Sequence, residues 1–340
     1  MRSLRIGSAV TDRVIPTTKI GETEVPRLIL GHLPFVGESY QGKVKNAEYS
    51  RRFSKIGNIV TILTEALEQG ITVVSAPTPD EGDRALQYLE AVREASRETG
   101  LELALIVCLR IPLLIDEKPI DDYRRWLTYY QVEKAYGEDD VLRRYLRDPI
   151  LQAREGWESK FPEQLKHSKP YSNELARIEI DYRKIVGALA TLSSMNVTFI
   201  ELGSETDLLA IGGRLDLLDN MVELLRRCRY RCLLGSHHAG TTMPILERSK
   251  IAFDGYVTPV NKIGVMMFPT KEACEASIRK SGKPVIAIKP FAGGRIHPQQ
   301  ALEYVYRDLA LPACMIGVGS EDELRQDLSA ALNILRGQPK

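Results

Sequence analysis

Short apolar stretches alternate along the chain with longer segments in which apolar residues recur every three or four positions. The short stretches have the length of strands, and the longer segments have the period of amphipathic helices. This alternation is typical of parallel strands joined by crossover helices. Eight strands are predicted, over residues 27–32, 72–75, 103–111, 197–201, 231–236, 255–259, 284–289 and 313–317. Eight parallel strands close into a barrel, so the pattern predicts an α/β fold of the (β/α)8 TIM barrel class, with residues 1–340 as one domain.

The predicted helices begin and end at residues suited to those positions. Glycine follows three of them, over residues 58–69, 83–99 and 270–281. Glycine is favoured there because it adopts the left-handed conformation that ends many helices. The last helix begins with Ser320 and Glu323, the spacing of a capping box. An open doubly wound sheet is disfavoured because the turn after its first strand is normally rich in glycine, unlike this chain's first turn.

Residues 116–184 interrupt the alternation between the third strand and the helix that leads to the fourth. They contain 29 charged residues, seven of the chain's 14 tyrosines and both tryptophans, Trp126 and Trp157. Disordered segments are poor in aromatic residues, so we predict a helical insertion with a small apolar core of its own. The loop after a barrel strand lies at the face where active sites form. The insertion is therefore expected either to border the pocket or to pack against a partner subunit.

The chain carries 46 Lys and Arg residues against 45 Asp and Glu residues, a formal net charge of +1. Proteins that bind nucleic acid or anionic membranes carry a basic excess, so neither partner is expected. The longest apolar stretch, residues 101–115, contains charges and is shorter than the roughly 20 residues of a spanning helix. The first 30 residues contain no apolar run of signal-peptide length. We expect a cytoplasmic protein that acts on a small molecule.

Two segments near the carboxyl terminus carry a family resemblance. Residues 284–296 read Pro-Val-Ile-Ala-Ile-Lys-Pro-Phe-Ala-Gly-Gly-Arg-Ile, and residues 315–328 read Met-Ile-Gly-Val-Gly-Ser-Glu-Asp-Glu-Leu-Arg-Gln-Asp-Leu. They resemble the aldo-keto reductase superfamily, in which the eighth strand leads into a helix whose N-terminus holds a phosphate of the nicotinamide cofactor. Free amides and a partial positive charge suit a helix N-terminus to that task.

The resemblance implies a TIM barrel, NADP or NAD as cofactor, and reduction of a small carbonyl metabolite. The positions that it assigns to the cofactor are Ser236, Gly293, Gly294, Arg295, Gly317, Gly319, Ser320, Gln326 and Asp327.

The family's catalytic Asp, Tyr, Lys and His have no counterparts here. Residues 75–80, after the second strand, read Ser-Ala-Pro-Thr-Pro-Asp and lack the family's Asp and Tyr. The position of the family's Lys falls near Arg110, which does not exchange protons at neutral pH. The position of its His falls near Leu202 or Gly203. The usual proton donor is absent, so we expect a divergent active site in which another group, such as His237 or His238, delivers the proton.

A different set of polar residues lies at the predicted strand ends, and it provides the catalytic candidates His32, Glu201, His237, His238 and Lys289. One of the two adjacent histidines is expected to point into the barrel and the other into the loop. Lys289 shares a strand face with Val285 and Ala287, and that face is expected to point inward.

Two roles are open for Lys289. It either pairs with Glu201 across the barrel, or it acts as an anion anchor or a reactive amine. A metal is a less favoured alternative, with His32, Glu201 and His237 as its ligands.

Three functions are consistent with these residues. The first is a divergent oxidoreductase that binds NADP or NAD. The second is a lyase, isomerase or hydrolase, independent of a cofactor or dependent on a divalent metal, that acts on a small anionic metabolite. The third is a non-catalytic barrel scaffold whose insertion is an interaction surface. Cofactor binding distinguishes the first from the other two, and a homo-oligomer that forms independently of ligand would favour the third.

Overall fold

The computed structural model describes residues 14–337. The first 13 residues, on which part of the prediction about export rests, lie outside the described residues, as do the last three. The strands are β1 (Thr17–Ile20), β2 (Thr23–Pro26), β3 (Leu28–Leu30), β4 (Val73–Ala76), β5 (Ala104–Leu109), β6 (Leu113–Ile115), β7 (Lys118–Pro119), β8 (Ile178–Ile180), β9 (Val197–Leu202), β10 (Arg231–Gly235), β11 (Gly255–Pro259), β12 (Val285–Ile288) and β13 (Ala313–Ile316).

The helices are α1 (Lys43–Arg52), α2 (Ile56–Glu68), α3 (Asp83–Thr99), α4 (Asp122–Glu133), α5 (Glu138–Arg147), α6 (Pro149–Gln152), α7 (Trp157–His167), α8 (Tyr182–Thr191), α9 (Glu205–Ile211), α10 (Leu215–Arg227), α11 (Ala239–Glu247), α12 (Lys271–Lys280), α13 (Pro298–Glu303) and α14 (Glu321–Arg336). Within residues 14–337, none of these helices has both the length and the apolar character of a membrane span.

Eight strands form a closed, all-parallel barrel in the order β3, β4, β5, β9, β10, β11, β12 and β13, and β13 pairs with β3 to close it. These are the eight strands that the apolar alternation predicts, and the TIM barrel prediction is confirmed. Each strand directs alternate residues inward, because successive side chains in a strand point to opposite faces. The inner apolar cluster contains Ile29, Val73, Ile106, Phe199, Leu233, Val257, Ile286, Ala313 and Met315.

A short antiparallel hairpin, β1 and β2, closes the amino-terminal end of the barrel. Its Ile20 and Val25 are buried and join the inner apolar cluster. The opposite end, where the strands finish, has no such plug and opens into a cavity. The polar groups that follow the strands are therefore left facing that cavity.

The helical insertion after the third barrel strand is present as predicted. It consists of α4, α5, α6 and α7, and a three-stranded antiparallel sheet of β6, β7 and β8 joins it to the barrel. Its core is aromatic, with the ring of Trp126 packed edge-on against those of Tyr145 and Trp157, and Phe161 stacked on Trp157. The small sheet was not predicted, because strands of two or three residues are too short for a period to register.

Replacing Phe199 with Ala tests the inner cluster. Phe199 is fully buried between the strands, so the substitution should lower the free energy of unfolding by about 3–5 kcal/mol, as measured by urea titration. Val186→Ala on the exposed face of α8 is the control and should change it by less than about 0.5 kcal/mol. Equal effects of the two substitutions would contradict the assignment of Phe199 to a packed interior.

Candidate active site

A cavity of about 1300 Å³ opens at the carboxyl ends of the barrel strands. This is the face at which (β/α)8 barrels build their active sites. Sites for single small molecules have volumes of about 300–1,000 Å³, so this cavity has room for two ligands side by side. The polar side chains from the barrel that line it include His32, Ser75, Cys108, Arg110, Glu201, His237 and Lys289. The insertion borders the cavity through Asp122, Arg125 and Arg154.

Lys289 meets His237 inside the cavity. Its Nζ lies 3.0 Å from His237 Nε2 and 4.6 Å from the centre of the Tyr40 ring. Burial lowers the pKa of His237 well below its usual value, and the positive charge of Lys289 lowers it further. His237 is therefore neutral at physiological pH. Of the two roles open for Lys289, the direct pairing with Glu201 is not observed among the described residues, because the amine contacts the His237 imidazole instead.

The prediction that Val285 and Ala287 of the seventh barrel strand point inward was wrong. Val285 and Ala287 pack outward against the helices, whereas Ile286 joins the inner cluster. Regular alternation would therefore direct Lys289 away from the cavity. Lys289 reaches it because its backbone adopts φ 55°, in the left-handed region that residues with a Cβ rarely occupy. A turn directly after β12, rather than the pleat of the strand, points the amine inward.

Glu201 is an acid suited to proton transfer near neutral pH. It ends the inward-facing row of β9 that begins with Phe199, and it lines the cavity. Burial raises the pKa of Glu201 to about 7, and the nearby charge of Lys289 opposes that rise. An acid whose pKa lies near the working pH is effective both as a proton donor and as a base.

Cys108 is a cavity residue that the sequence prediction missed. It pairs with Glu201 across the neighbouring strands β5 and β9. Burial raises the pKa of its thiol well above the usual value, and the charge of Glu201 raises it further, so the thiol is protonated. The alternation of inward and outward residues along β5 could have revealed it, since Cys108 follows the inward-facing Ile106 by two positions.

His32 lines the cavity after β3 and is held by Ser75. The Oγ of Ser75 accepts a hydrogen bond from the backbone N–H of His32 at 3.0 Å and lies 2.8 Å from its Nδ1. Burial lowers the pKa of His32 to about 4, and the charge of Arg110 adds to this effect. His32 is thus a neutral hydrogen-bonding group at pH 7.

His238 lies outside the cavity, which corrects its place among the catalytic candidates. The chain turns after β10, so that His237 enters the cavity and His238 points into the base of the insertion. There its Nδ1 lies 2.9 Å from Oε1 of Glu133, which also accepts hydrogen bonds from Thr241 and Tyr145. Both His238 and Glu133 are almost completely buried. His238 therefore fastens the insertion to the barrel.

Ser236 also lies outside the cavity, because Asp207 holds it. The Oγ of Ser236 donates to Asp207 at 2.6 Å, and the backbone N–H of His237 donates to the other oxygen of the same carboxylate at 2.9 Å. Asp207 is fully buried on α9. It positions the turn that carries His237, and no local sequence signal connects α9 with β10.

The metal alternative is not supported. Within residues 14–337, no group of three or more His, Cys, Asp or Glu side chains is arranged to hold a metal ion. The predicted set of His32, Glu201 and His237 is not assembled as a ligand group, because His32 contacts Ser75 and His237 contacts Lys289.

The nucleotide candidates separate into two groups. Those that line the cavity together with Glu201 and Lys289 are Gly293, Gly294, Arg295, Gly317, Gln326 and Asp327. Gly293 and Gly294 both adopt positive φ, 68° and 75°, which explains the need for glycine at this turn. The guanidinium of Arg295 donates to the backbone carbonyls of Tyr40 and Ala292 and holds the loop after β3 against this turn.

Gly319 and Ser320 do not line the cavity, because the start of α14 is occupied by its own side chains. The N–H of Gly319 donates to Oε2 of Glu323 at 2.7 Å, and Ser320 Oγ accepts the N–H of Glu323 at 3.1 Å. The Tyr49 ring packs against Gly319 so closely that a Cβ there would lie 2.3 Å from it. The predicted cap is present, and it occupies the backbone amides of Gly319 and Glu323, which a bound anion would need as hydrogen-bond donors.

The start of α14 presents acidic side chains to the cavity. Glu323 and Asp327 both line it. Burial raises the pKa of Asp327 to about 8, and the adjacent charge of Glu323 adds to the rise. Asp327 is therefore largely protonated at neutral pH, while the carboxylate of Glu323 presents a negative charge next to the helix N-terminus.

The chain matches no protein-family model and no curated protein sequence. Solved structures do resemble it. A crystal structure of a proposed aldo-keto reductase from Pseudomonas aeruginosa has a TM-score of 0.58 at 13% sequence identity, with 96% of this chain and 99% of that chain covered. A second structure with the same description and organism has a TM-score of 0.56 at 13% identity, with 96% and 100% covered.

An aldo-keto reductase from Bombyx mori, solved in complex with NADP, has a TM-score of 0.47 at 12% identity, with 95% of this chain and 92% of that chain covered. At these identities the likeness concerns the fold. The chain has the fold of the aldo-keto reductases, and the resemblance read from the sequence is supported at that level.

Replacing Glu133 with Ala tests the attachment of the insertion. The substitution leaves the buried donors of His238, Thr241 and Tyr145 without their acceptor and should lower the free energy of unfolding by about 3–5 kcal/mol. Limited proteolysis should then cleave within the insertion sooner than within the barrel. Tyr145→Phe removes one of the three donors and should cost about 1 kcal/mol. Unchanged unfolding in Glu133→Ala would refute this role.

Proposed function

We propose that the protein is an oxidoreductase of the aldo-keto reductase type that reduces a small carbonyl compound with NADH. The observation that carries the proposal is one continuous cavity that holds Glu201, a buried acid with a pKa of about 7, together with the glycine turn and the lining residues Glu323 and Gln326 of α14. Glu201, rather than His237 or His238, takes the place of the missing proton donor, because burial holds His237 neutral and His238 lies outside the cavity. The fold shared with aldo-keto reductases supports the proposal in its general form.

The residues around the start of α14 favour the unphosphorylated dinucleotide. A pyrophosphate would lie against the Gly293–Gly294 turn and Gly317, which line the cavity. The extra phosphate of NADPH would meet Glu323, which already accepts the Gly319 amide. In NADH a ribose hydroxyl stands in that place, and it can donate to a carboxylate.

The chain's own residues supply the acid and the environment. When bound, the nicotinamide supplies a hydride to the carbonyl carbon. Glu201, in its protonated form, donates the proton that the carbonyl oxygen requires. His32, neutral and fixed by Ser75, is available as a hydrogen-bonding partner for the substrate. The insertion borders the cavity at Arg125, which is bound to Glu205 at 3.0 Å, and it keeps bulk water from that side.

The pH dependence of reduction tests the role of Glu201. Its pKa is raised to about 7 and only the protonated form donates, so kcat/KM for reduction should be constant below pH 6 and fall about tenfold per unit above pH 8. The titratable groups that interact with Glu201 are Cys108 on β5 and Lys289 after β12, and the Cys108 thiol keeps its neutral form across this range.

Glu201→Gln should remove this decline and lower kcat by about 100-fold, since general acid catalysis contributes on that order. Asp122→Asn is a control, because it also removes a carboxylate at the cavity wall but lies on the insertion. A pH decline that persists unchanged in Glu201→Gln would refute the assignment.

Nucleotide titration by calorimetry tests the proposal directly. NADH should bind in the micromolar range and NADPH about tenfold more weakly, because its phosphate approaches the carboxylate of Glu323. Glu323→Gln keeps an acceptor for the Gly319 amide and should remove this difference. Asp322→Asn, the same change of charge on an exposed side chain of the same helical turn, should leave it intact. Absence of binding by either nucleotide would refute the proposed function.

A further inference from the structure

Lys289 is an amine held against a neutral base inside the cavity. Its Nζ lies 3.0 Å from Nε2 of His237, and the Tyr40 ring covers it. An ammonium group has donors and no acceptor, so Nε2 of His237 is the acceptor in this contact when Lys289 is protonated. The proposed reduction assigns no reaction to this pair.

The backbone brings the amine to this place through an unfavourable conformation. Lys289 adopts φ 55°, and without that turn its side chain would follow Val285 and Ala287 towards the helices. Conformations of this kind persist where the surrounding structure enforces them, and they cluster at functional sites. A lysine that only balanced charge at the protein surface would not require the turn.

Two further contacts define the surroundings of the pair. The turn that carries His237 is fixed by Asp207, which accepts the His237 backbone N–H. Glu201 lines the same cavity and lies close enough to Lys289 to sense its charge. A base and an acid thus flank the amine.

We infer that Lys289 condenses with a small aldehyde or ketone to form an imine, an activity of this cavity that needs no nucleotide. An amine becomes a nucleophile when a neighbouring base takes its proton. His237 is the base that accepts this proton, and Glu201 is the acid that protonates the carbonyl oxygen as the amine attacks. The inference goes beyond the proposed reduction, with which it shares only the position of the carbonyl group and Glu201.

Imine formation at Lys289 proceeds through a carbinolamine. The Lys289 ammonium gives one proton to His237 Nε2, and the free amine attacks the carbonyl carbon while the carbonyl oxygen takes the proton of Glu201. The nitrogen of this adduct then returns a proton to Glu201, which leaves a neutral carbinolamine. The hydroxyl group takes the proton from His237 and departs as water while the C=N bond forms. His237 and Glu201 end in their starting forms, and no oxidant or reductant is consumed.

The product explains which substrates such a site would serve. A protonated imine withdraws electrons from the neighbouring carbon, so a C–H or C–C bond at that carbon breaks more easily than in the free carbonyl compound. The chemical class is therefore a small aldehyde or ketone with a breakable bond next to the carbonyl group. Isomerisation and aldol-type cleavage both begin in this way.

Reductive trapping tests the inference on the full chain without nucleotide. The protein is incubated with pyruvate, glyoxylate or dihydroxyacetone, reduced with sodium borohydride, digested and mapped by mass spectrometry. With at least one probe, Lys289 should carry a reduced adduct at an occupancy about tenfold above that of the exposed Lys262, because a neighbouring base activates only Lys289. The inference would be overturned if only exposed lysines carried adducts and Lys289 remained unmodified with all three probes.

Two variants test the chemistry of the pair. Lys289→Arg keeps the positive charge and should give no adduct at this position. His237→Gln keeps the lysine and should slow trapping most near pH 7, with a smaller effect at higher pH, where hydroxide takes the place of the missing base. Arg125 and Arg154, whose charges also act on His237, are unchanged in this variant, as is the neighbouring His238.

A His237→Gln profile identical to that of the parent protein would overturn the role of His237 as the base. Circular dichroism and the melting temperature establish that each variant folds. Failure of NADH to bind in the separate titration would refute the proposed reduction and leave the trapping result unaffected, so the two proposals fail independently.

Discussion

Two buried carboxylates hold the turn after β10, and the arrangement of the cavity depends on them. Asp207 on α9 binds Ser236 and the backbone of His237, while Glu133 on α4 binds His238. A buried carboxylate is stable only when its oxygens are fully hydrogen-bonded, so each of them fixes its partners in one geometry. The two adjacent histidines are thereby directed to opposite sides. One contacts Lys289 in the cavity, and the other anchors the insertion.

The eight strands were predictable because burial imposes a period on the sequence. The pattern of inward residues also accounts for Glu201, which follows Phe199, and for His237, which follows Leu233 by four positions. Lys289 shows the limit of this reasoning. It lies in the cavity as predicted, but for a different reason, because a positive φ at one residue reverses what the period implies. A single backbone angle leaves no periodic trace in a sequence.

The remaining site residues depend on contacts between distant parts of the chain. Glu133 and His238 are 105 positions apart, and Asp207 and Ser236 are 29 apart. Neither pair has a spacing that a sequence alone would reveal. At the start of α14 the sequence does carry a signal, but the signal has two meanings. Ser320 and Glu323 have the spacing of a helix cap, and the same segment resembles an anion site. Glu323 accepts the Gly319 amide in the structure, so the helix N-terminus is already occupied by its own side chain.

The insertion and the cavity are coupled by the same polar contacts. Around His238, the Trp126 Nε1, the Tyr129 hydroxyl and the His238 Nε2 are buried and have no hydrogen-bond partner among residues 14–337. Each such group costs about 1–3 kcal/mol unless water satisfies it, so these three groups lower the stability of the docked insertion. Regions of lower stability open first. Because Glu133 and Arg125 both belong to α4, any opening of the insertion also releases His238 and the cavity wall at Glu205. His237 keeps its own anchor on Asp207, so the insertion controls one wall of the cavity while the barrel holds His237 against Lys289.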